Sequence, residues 1–422
     1  MDAVWPHLRS LIGLAVFCAI AWGLGPRGRI PWRLVLGGIG LQFALTIILY
    51  AAPPLRAALY GLGGVVTVLQ LATAEGTAFV FGYVGGADPP FPVTDPGQMT
   101  NFAFQILPLI LVVSVISALL WHWRILEVVV RAFAWLFRRT MGLSGAASLA
   151  TAANIFIGMV EAPMLVRPRL KEMSSADLFL LMTVGLATVA GTVLALYAAT
   201  VETVLVGGVA HVMTASIISA PAAVVAARLM HPLPDGREPP EPKPERMYHS
   251  SFDALVRGVE DGLRVLMGIV GMLLVVLALK YLVDAGLSVL PDVSGAPLTV
   301  ERIFGWVFAP IMWLAGVEWA DAGAAGALMG IKTALNELLA YLALPDIGAD
   351  LSTRSRLITV YALCGFANFG SVGIMVGGLA SIVPERREEI VNLGIQALVS
   401  GTLATLMTGA VVGALPMGLF GM

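Results

Sequence analysis

The stretch Gly365-Phe366-Ala367-Asn368-Phe369-Gly370-Ser371-Val372-Gly373 lies inside an apolar segment that is long enough to cross a membrane. Glycines stand at its start, middle and end, and Asn368 and Ser371 are polar. Each glycine inside a helix costs about 1 kcal/mol relative to alanine, and each buried polar side chain needs a partner. Non-helical backbone at membrane depth is tolerated only inside protein or beside a watery cavity. The stretch therefore predicts either a broken helix that lines a site or a small-residue seam between helices.

A second stretch, Gly185–Gly191, repeats the pattern of glycine, apolar, alanine, small polar, apolar and small residue. Each copy follows an acidic residue in an apolar segment, Glu161 before the first copy and Glu337 before the second. Two halves, each with an acid-bearing segment and then a glycine-broken span, are typical of secondary transporters built from repeats. The repeated pattern favours the interpretation that each stretch is a break in a helix that lines a site.

The amino-acid composition is that of a membrane protein. The 422 residues are 58% hydrophobic and 12% charged, and the mean hydropathy is +0.88, which predicts an all-α polytopic membrane protein. The net charge of −2 gives no reason to expect a nucleic-acid partner, and the histidines show no metal-ligand spacing. Ser371 does not lie in a G-x-S-x-G pattern and has no histidine beside it, so we expect no enzyme and no cofactor other than a coupling ion.

Eight apolar segments are predicted to cross the membrane: 8–25, 34–51, 104–122, 177–200, 204–228, 262–284, 355–381 and 389–415. Two further apolar regions, 144–168 and 303–343, each hold an acidic residue midway beside a polar or helix-breaking kink. We predict that they are re-entrant hairpins, which enter the membrane and return on the same side.

The basic residues support this layout. With eight spans and two hairpins, 18 of the 25 Lys+Arg fall on one side, which the positive-inside rule assigns to the cytoplasm. Both termini are then outside. The predicted order is a scaffold that includes an amphipathic helix at 124–143 (1–143), a first repeat (144–230), a cytoplasmic linker (231–261), a second scaffold segment (262–302) and a second, inverted repeat (303–422).

Glu161 and Glu337 are the first candidates for function. A carboxylate inside the membrane is costly unless it faces a partner or a polar cavity. A structural ion pair is the alternative, but Lys332 lies off the helical face of Glu337, and no basic residue lies within a turn of Glu161. Several small polar side chains flank the two predicted breaks and favour a site there: Asn154, Thr188, Asn336, Asn368 and Ser371.

Four motifs resemble the concentrative nucleoside transporter family: Gly158-x-x-Glu161-Ala-Pro, Lys332-Thr333-x-x-Asn336-Glu337, Gly365-Phe366-x-Asn368-x-Gly370-Ser371 and Pro384-Glu385-Arg386-Arg387. The resemblance runs over roughly residues 140–415. It implies a homotrimer of eight-span protomers with two re-entrant hairpins. It also implies uptake of nucleosides driven by a Na⁺ or H⁺ gradient.

The resemblance implies a role for each matching residue of the second repeat. Glu337, Asn368 and Ser371 would hydrogen-bond the ribose, and Phe366 would pack on the nucleoside. Asn336, which precedes Glu337 in the motif, belongs to the same substrate site.

In the first repeat the resemblance implies a sodium site and a contact to the base. Asn154 and Thr188 would give side-chain oxygens to Na⁺, and the carbonyls of Ile157 and Val189 would complete the shell. Glu161 would act near the base.

The first hairpin departs from the family pattern. The family usually has Gly-Gln-Thr-Glu where this chain has Gly158-Met159-Val160-Glu161. Met159 and Val160 therefore replace the two side chains that read the polar edge of the base. The sugar half of the site matches the family and the base half does not, which predicts an altered base preference.

These observations predict a cation-coupled importer, with Na⁺ favoured, of nucleosides or nucleoside-like solutes in a bacterial inner membrane. One alternative is a proton-coupled carrier of a different ribosylated solute. Another is a membrane receptor that binds the solute without moving it. Two hairpins and two breaks favour transport, because alternating access requires both halves.

Overall fold

The computed structural model describes residues 4–233, 247–293 and 295–422, which form α-helices and short turns without a β-strand. The predicted cytoplasmic linker lies partly outside the described residues. The first half contains eleven helices: α1 (Trp5–Leu24), α2 (Trp32–Ala51), α3 (Pro53–Phe81), α4 (Leu109–His122), α5 (Ile125–Met141), α6 (Gly145–Asn154), α7 (Glu161–Met164), α8 (Arg167–Leu170), α9 (Ser175–Ala187), α10 (Gly191–Glu202) and α11 (Gly208–Met230).

The second half contains seven helices: α12 (Ser251–Leu287), α13 (Val300–Ala315), α14 (Trp319–Ala334), α15 (Glu337–Ile347), α16 (Thr353–Leu363), α17 (Phe369–Ile382) and α18 (Arg387–Ala414). Short 3₁₀ and π segments flank several of them, including a π segment at Phe102–Ile106 that leads into α4.

The elements from α4 to α11 follow the same order as those from α12 to α18. Each series begins with an apolar helix (α4, α12) and a second helix set beside it (α5, α13). A pair of short helices follows, with an acidic residue at its turn (α6 with α7 and α8; α14 with α15). Each series then continues with a helix in two pieces (α9 and α10; α16 and α17) and ends in a long buried helix (α11, α18). The all-α polytopic fold is as predicted.

The predicted second hairpin, 303–343, begins too early. α13 and α14 are bent by 119° at a break around Gly316, and α14 and α15 meet at a second break, around Leu335. The acid-bearing pair is α14 with α15, and α13 is the counterpart of α5. The whole region is apolar and contains two helix ends, each followed by an acidic residue (Glu318 and Glu337), so its sequence could not show which break forms the turn of the hairpin.

Eight described helices have the length and composition to cross a membrane. Seven of them match predicted spans within a few residues, except that α12 begins at Ser251 rather than near 262. The remaining predicted span, 355–381, is divided into α16 and α17, as its glycines suggested. The eighth helix in this set is α3, which was not predicted as a span.

We infer that α3 lies along the outer end of the bundle rather than across it. Its 29 residues would extend about 43 Å. Near its start, Tyr60 packs against Gly207, in the turn between α10 and α11. Beyond its end, the Val84 carbonyl accepts a hydrogen bond from Gln105 Nε2, just before α4, at 3.1 Å. Both partners belong to segments that the charge pattern places outside, so the eight-span topology is retained.

The most buried helices include one of the two broken ones. α9, α10, α11 and α18 are almost entirely enclosed, whereas α3 and α12 expose most of their apolar side chains. Polar groups in α9 to α11 and α14 to α18 therefore lie away from lipid. This is the environment in which a membrane protein can hold an irregular backbone.

Candidate functional site

The two broken helices cross at their breaks. The Phe366 N–H, between α16 and α17, donates to the Thr188 carbonyl, between α9 and α10, at 3.4 Å. Gly365 has a φ of +148°, and a Cβ added there would lie 2.6 Å from the Ala187 carbonyl oxygen. The two stretches with matching sequence patterns thus meet at the centre of the protein. The broken-helix interpretation is confirmed, and the glycine is also what permits the close approach.

The Glu337 carboxylate lies at this crossing and is only 4% exposed. Its Oε1 accepts a hydrogen bond from the Tyr197 hydroxyl at 2.6 Å, and its Oε2 accepts one from Asn368 Nδ2 at 2.7 Å. Elements of both halves therefore position the carboxylate, since Tyr197 belongs to α10 and Asn368 precedes α17. Each carboxylate oxygen has lone pairs left with which to accept from a hydroxyl-bearing solute.

Two asparagines cap half-helices that begin in the site. Asn336 Oδ1 accepts from the Leu339 N–H at 2.8 Å and caps α15, and Asn368 Oδ1 accepts from the Ser371 N–H at 2.7 Å and caps α17. Side-chain oxygens at this position satisfy N–H groups that a helix start leaves free. The positive ends of both half-helices consequently face the region of Glu337.

Lys332 does not pair with Glu337. Its side chain is fully buried, and its Nζ donates to the Ala362 carbonyl and to Thr405 Oγ1, each at 2.8 Å. No carboxylate lies within 4.0 Å of Nζ in the described part of the chain. The ammonium group instead fixes the end of α14 to the end of α16, and the prediction that Glu337 is not a structural ion pair with Lys332 is confirmed.

A second polar cluster lies on the other side of the crossing, between α6 and the start of the α9–α10 break. Asn154 is 1% exposed, and neither atom of its side-chain amide has a hydrogen-bond partner among the described residues. The Thr188 hydroxyl donates to the carbonyls of Val184 and Asn154, at 2.9 and 3.3 Å, which leaves its lone pairs free. The Val189 carbonyl accepts from the Ser216 hydroxyl at 3.3 Å.

These oxygens suit a hard cation. Asn154 Oδ1 is buried without a partner, and such a group costs about 1–3 kcal/mol unless something satisfies it. Together with Thr188 and freed main-chain carbonyls, it forms the kind of oxygen-donor set that unwound transporter helices present to Na⁺. Ile157 lies in the turn after α6, outside the hydrogen-bond ladder of that helix.

The first hairpin places its two apolar residues against helices of both halves. The Met159 Cβ faces Gly185 in α9, where an added Cβ would come within 2.9 Å of it. The Val160 methyl groups face Gly378 in α17, where the corresponding distances would be 3.1 Å. Glu161, the first residue of α7, is half-buried and forms no ion pair among the described residues. All three positions belong to the junction between the halves.

Family models match most of the chain. The model described as Na⁺ dependent nucleoside transporter N-terminus matches residues 12–84, that of Nucleoside recognition matches 103–204, and that of Na⁺ dependent nucleoside transporter C-terminus matches 211–413. An uncharacterized transporter of Haemophilus influenzae is 34% identical over 96% of this chain and 97% of its own length. The chain belongs to the Na⁺-dependent nucleoside transporter family.

Other members of this family agree with the assignment. Sodium/nucleoside cotransporter 1 of Rattus norvegicus is 33% identical over 97% of this chain, which spans 64% of the rat protein. The structure of CNTnw in an inward-facing substrate-bound state superposes with a TM-score of 0.86 and 32% identity over 97% of both chains. A variant of CNTnw in an outward-facing state gives a TM-score of 0.85.

Membership of the Na⁺-dependent nucleoside transporter family confirms the predicted resemblance and the prediction that the chain is a transporter rather than an enzyme or a passive receptor. The solved structures of CNTnw in inward- and outward-facing states are the two ends of an alternating-access cycle. The Na⁺ coupling and nucleoside transport of this family also agree with the predicted symport.

Sequence reasoning missed two residues of the site, Tyr197 and Ser216. Tyr197 holds Glu337, and Ser216 exchanges hydrogen bonds with both the N–H and the carbonyl of Val189. Each is a hydroxyl inside a predicted span, and such a group needs a partner when it is buried. That signal indicated a contact but not its position, because α10 and α11 meet their partners only in three dimensions.

Proposed function

We propose that this chain imports nucleosides or nucleoside-like solutes across a bacterial inner membrane, coupled to the entry of Na⁺. The observation that carries the proposal is the buried Glu337 carboxylate, held by Tyr197 and Asn368 where the two broken helices cross. A carboxylate with free lone pairs beside two helix N-termini can bind vicinal sugar hydroxyls as an acceptor, while the helix N-termini balance its charge.

In this proposal Glu337, Asn368 and Ser371 bind the ribose, with Asn336 fixing the start of α15 beside them. Phe366 packs on the nucleoside from the break between α16 and α17. The support is positional: Asn336 and Asn368 cap the half-helices that converge on Glu337, and Ser371 lies in the first turn of α17.

The base contacts the first hairpin in this proposal, at Met159, Val160 and Glu161. Val160 packs against Gly378 of α17, so the hairpin lies beside the helix that carries Ser371. The apolar side chains offer no donor to the polar edge of a pyrimidine, and Glu161, next to them in the hairpin, can accept from a base.

Na⁺ binds, in this proposal, to Asn154 and Thr188 with the carbonyls of Ile157 and Val189. Thr188 also provides the carbonyl that accepts from Phe366, so the ion and the nucleoside are attached to the same crossing. Binding of the ion at the first break would thereby stabilise the second break. That arrangement gives a physical route for coupling, because each ligand orders backbone that the other requires.

Quaternary structure and orientation complete the proposal. We propose a homotrimer in which the exposed apolar faces of α3 and α12 contact neighbouring protomers and lipid, with both termini outside. Residues 1–143 and 262–302 form the scaffold, and 144–230 and 303–422 form the two repeats that carry the site.

The experiment is uptake of a radiolabelled nucleoside panel into proteoliposomes under an imposed Na⁺ or H⁺ gradient. We expect uptake to follow the Na⁺ gradient and Asn154→Leu to remove most of the Na⁺ stimulation. The exposed Asn392→Leu serves as the matched control, which should retain it. Uptake that ignores Na⁺ but follows pH would reject the sodium site and support the proton-coupled alternative, with Glu161 or Glu337 as the proton carrier.

A further inference from the structure

A cavity of about 550 Å³ opens between the start of α2 and the end of α5, and none of its lining residues belongs to the transport site. Arg33, Arg138 and Arg139 line it together with Trp32 and Trp135, and none of the lining residues in the described part of the chain is acidic. The volume lies within the range of small-molecule sites, roughly 300–1,000 Å³.

The neighbouring helices do not neutralise Arg33 and Arg139, two of the arginines that line this cavity. Arg33 and Arg139 have no acidic side chain within 4.0 Å in the described chain. α2 contains no acidic residue, and Glu127, the one acidic residue of α5, pairs with Arg131 at 2.6 Å instead. Pro31 precedes α2 without a side-chain cap, and the positive end of the α2 helix dipole lies beside these arginines.

The rim of the cavity has the character of a membrane interface. Trp32 and Trp135 are 61% and 59% exposed, and large amphipathic rings of this kind concentrate at the level of lipid headgroups. Ile125 and Val128 are also exposed on α5 and lie, at helical spacing, on the same side as Trp135 and Arg139. An apolar stripe therefore leads directly to an arginine of the cavity.

We propose that this cavity binds the headgroup of one anionic phospholipid, with the phosphate held by Arg33 and Arg139 and an acyl chain along the exposed stripe of α5. Guanidinium groups bind phosphate oxygens in a bidentate way that suits a lipid phosphodiester. Basic pockets between helices on the cytoplasmic side commonly take such headgroups. The proposal rests on the cytoplasmic orientation of α5 proposed above and not on the identity of the transported solute.

The test compares lipid binding by the full-length protein and two doubly substituted variants. Arg33→Gln/Arg139→Gln removes two charges from the cavity. Arg27→Gln/Arg29→Gln removes two charges from the same predicted face outside the cavity. Each protein in detergent is titrated with phosphatidylglycerol, phosphatidylcholine or inorganic phosphate, and binding is followed by native mass spectrometry.

We expect phosphatidylglycerol to bind at least about tenfold more tightly than phosphatidylcholine. That preference should be lost in Arg33→Gln/Arg139→Gln and kept within about twofold in the control. An equal loss in both variants would overturn the proposal, because it would show only a general attraction to a basic surface. Binding of inorganic phosphate as tight as that of the lipid would also overturn it, since the acyl stripe would then contribute nothing. Sodium-dependent nucleoside binding by the same variants shows that they are folded, and its failure in the unsubstituted protein would bear on the proposed function alone.

Discussion

Single residues at the crossing are proposed to carry the substrate chemistry, and Glu337 is the clearest case. Its two oxygens each accept one hydrogen bond, so the carboxylate is held in one orientation before a solute arrives. Substrate affinity gains from such preorganisation, because the ordering cost is met in the fold.

Glu337→Gln should nearly abolish nucleoside uptake while the protein stays folded. The amide loses charge-assisted hydrogen bonds worth roughly 1.5–3 kcal/mol each, and only one of its two terminal atoms can accept a hydrogen bond from Tyr197 or Asn368. Uptake and binding in proteoliposomes measure the effect. Glu75→Gln, at an exposed position on α3, is the control and should behave normally. Near-normal uptake by Glu337→Gln would contradict the proposal that Glu337 binds the ribose.

Met159→Gln/Val160→Thr should improve the binding of uridine by about tenfold relative to an analogue with an apolar base substituent. The unsatisfied polar edge of a base costs about 1–3 kcal/mol per group, and the two substitutions restore polar partners. Val160→Thr keeps the shape that packs against Gly378. Met159→Leu, an apolar exchange, should not improve uridine binding. If the double variant gives no gain, base selectivity must arise outside this hairpin, for example from bridging waters.

At the scale of elements, the two broken helices support each other through one close contact. The backbone of the α16–α17 break approaches that of the α9–α10 break so closely that only a glycine fits at position 365. The residues proposed to bind Na⁺ and those proposed to bind the nucleoside therefore meet at one junction.

Gly365→Ala tests this junction. The left-handed φ and a 2.6 Å approach of the new Cβ to the Ala187 carbonyl oxygen should cost on the order of 1–3 kcal/mol and reduce uptake at least about tenfold. Gly373→Ala is the matched control, because it lies within α17 with nothing within 4 Å of an added Cβ. It should retain uptake and gain up to about 1 kcal/mol in helix stability. Thermal unfolding measures the stability of each variant, and proteoliposome uptake measures its activity. If the two variants show equal stability and equal uptake, the close contact at Gly365 is not required for transport.

At the scale of the whole molecule, the position of α3 fixes the topology of everything after it. A spanning α3 would place α4 to α11 in the opposite orientation and would move most basic residues outside. The contacts at its two ends, to Gly207 and Gln105, favour a helix that stays on one surface.

Cysteine accessibility in Cys18→Ala/Cys364→Ala protein measures this topology. Thr94→Cys, in the loop after α3, should react with a membrane-impermeant maleimide added outside intact cells. Gly28→Cys, before α2, should react only after permeabilisation. Both positions are exposed, so reactivity reports the side of the membrane. Reaction of both on the same side would show that α2 and α3 together change the topology.

The sequence alone determined the class of the protein, most spans and the identity of most candidate residues. Apolar length is a local property, and glycine and polar residues inside an apolar segment mark breaks wherever they occur, so these features did not need coordinates. The amphipathic helix at 124–143 was likewise evident from the arginines spaced among its apolar residues, and the structure gives α5 at Ile125–Met141.

Only the tertiary structure decided how the pieces meet. Tyr197 and Glu337 are 140 positions apart, and no local pattern could pair them. The start of the second hairpin also depended on packing, because the sequence contains two helix ends, at Gly316 and Leu335, and only the later one lies beside Glu337. The surface position that we infer for α3 depends on packing in the same way, since a long apolar helix satisfies its own backbone both across and along a membrane, and only its neighbours distinguish the two.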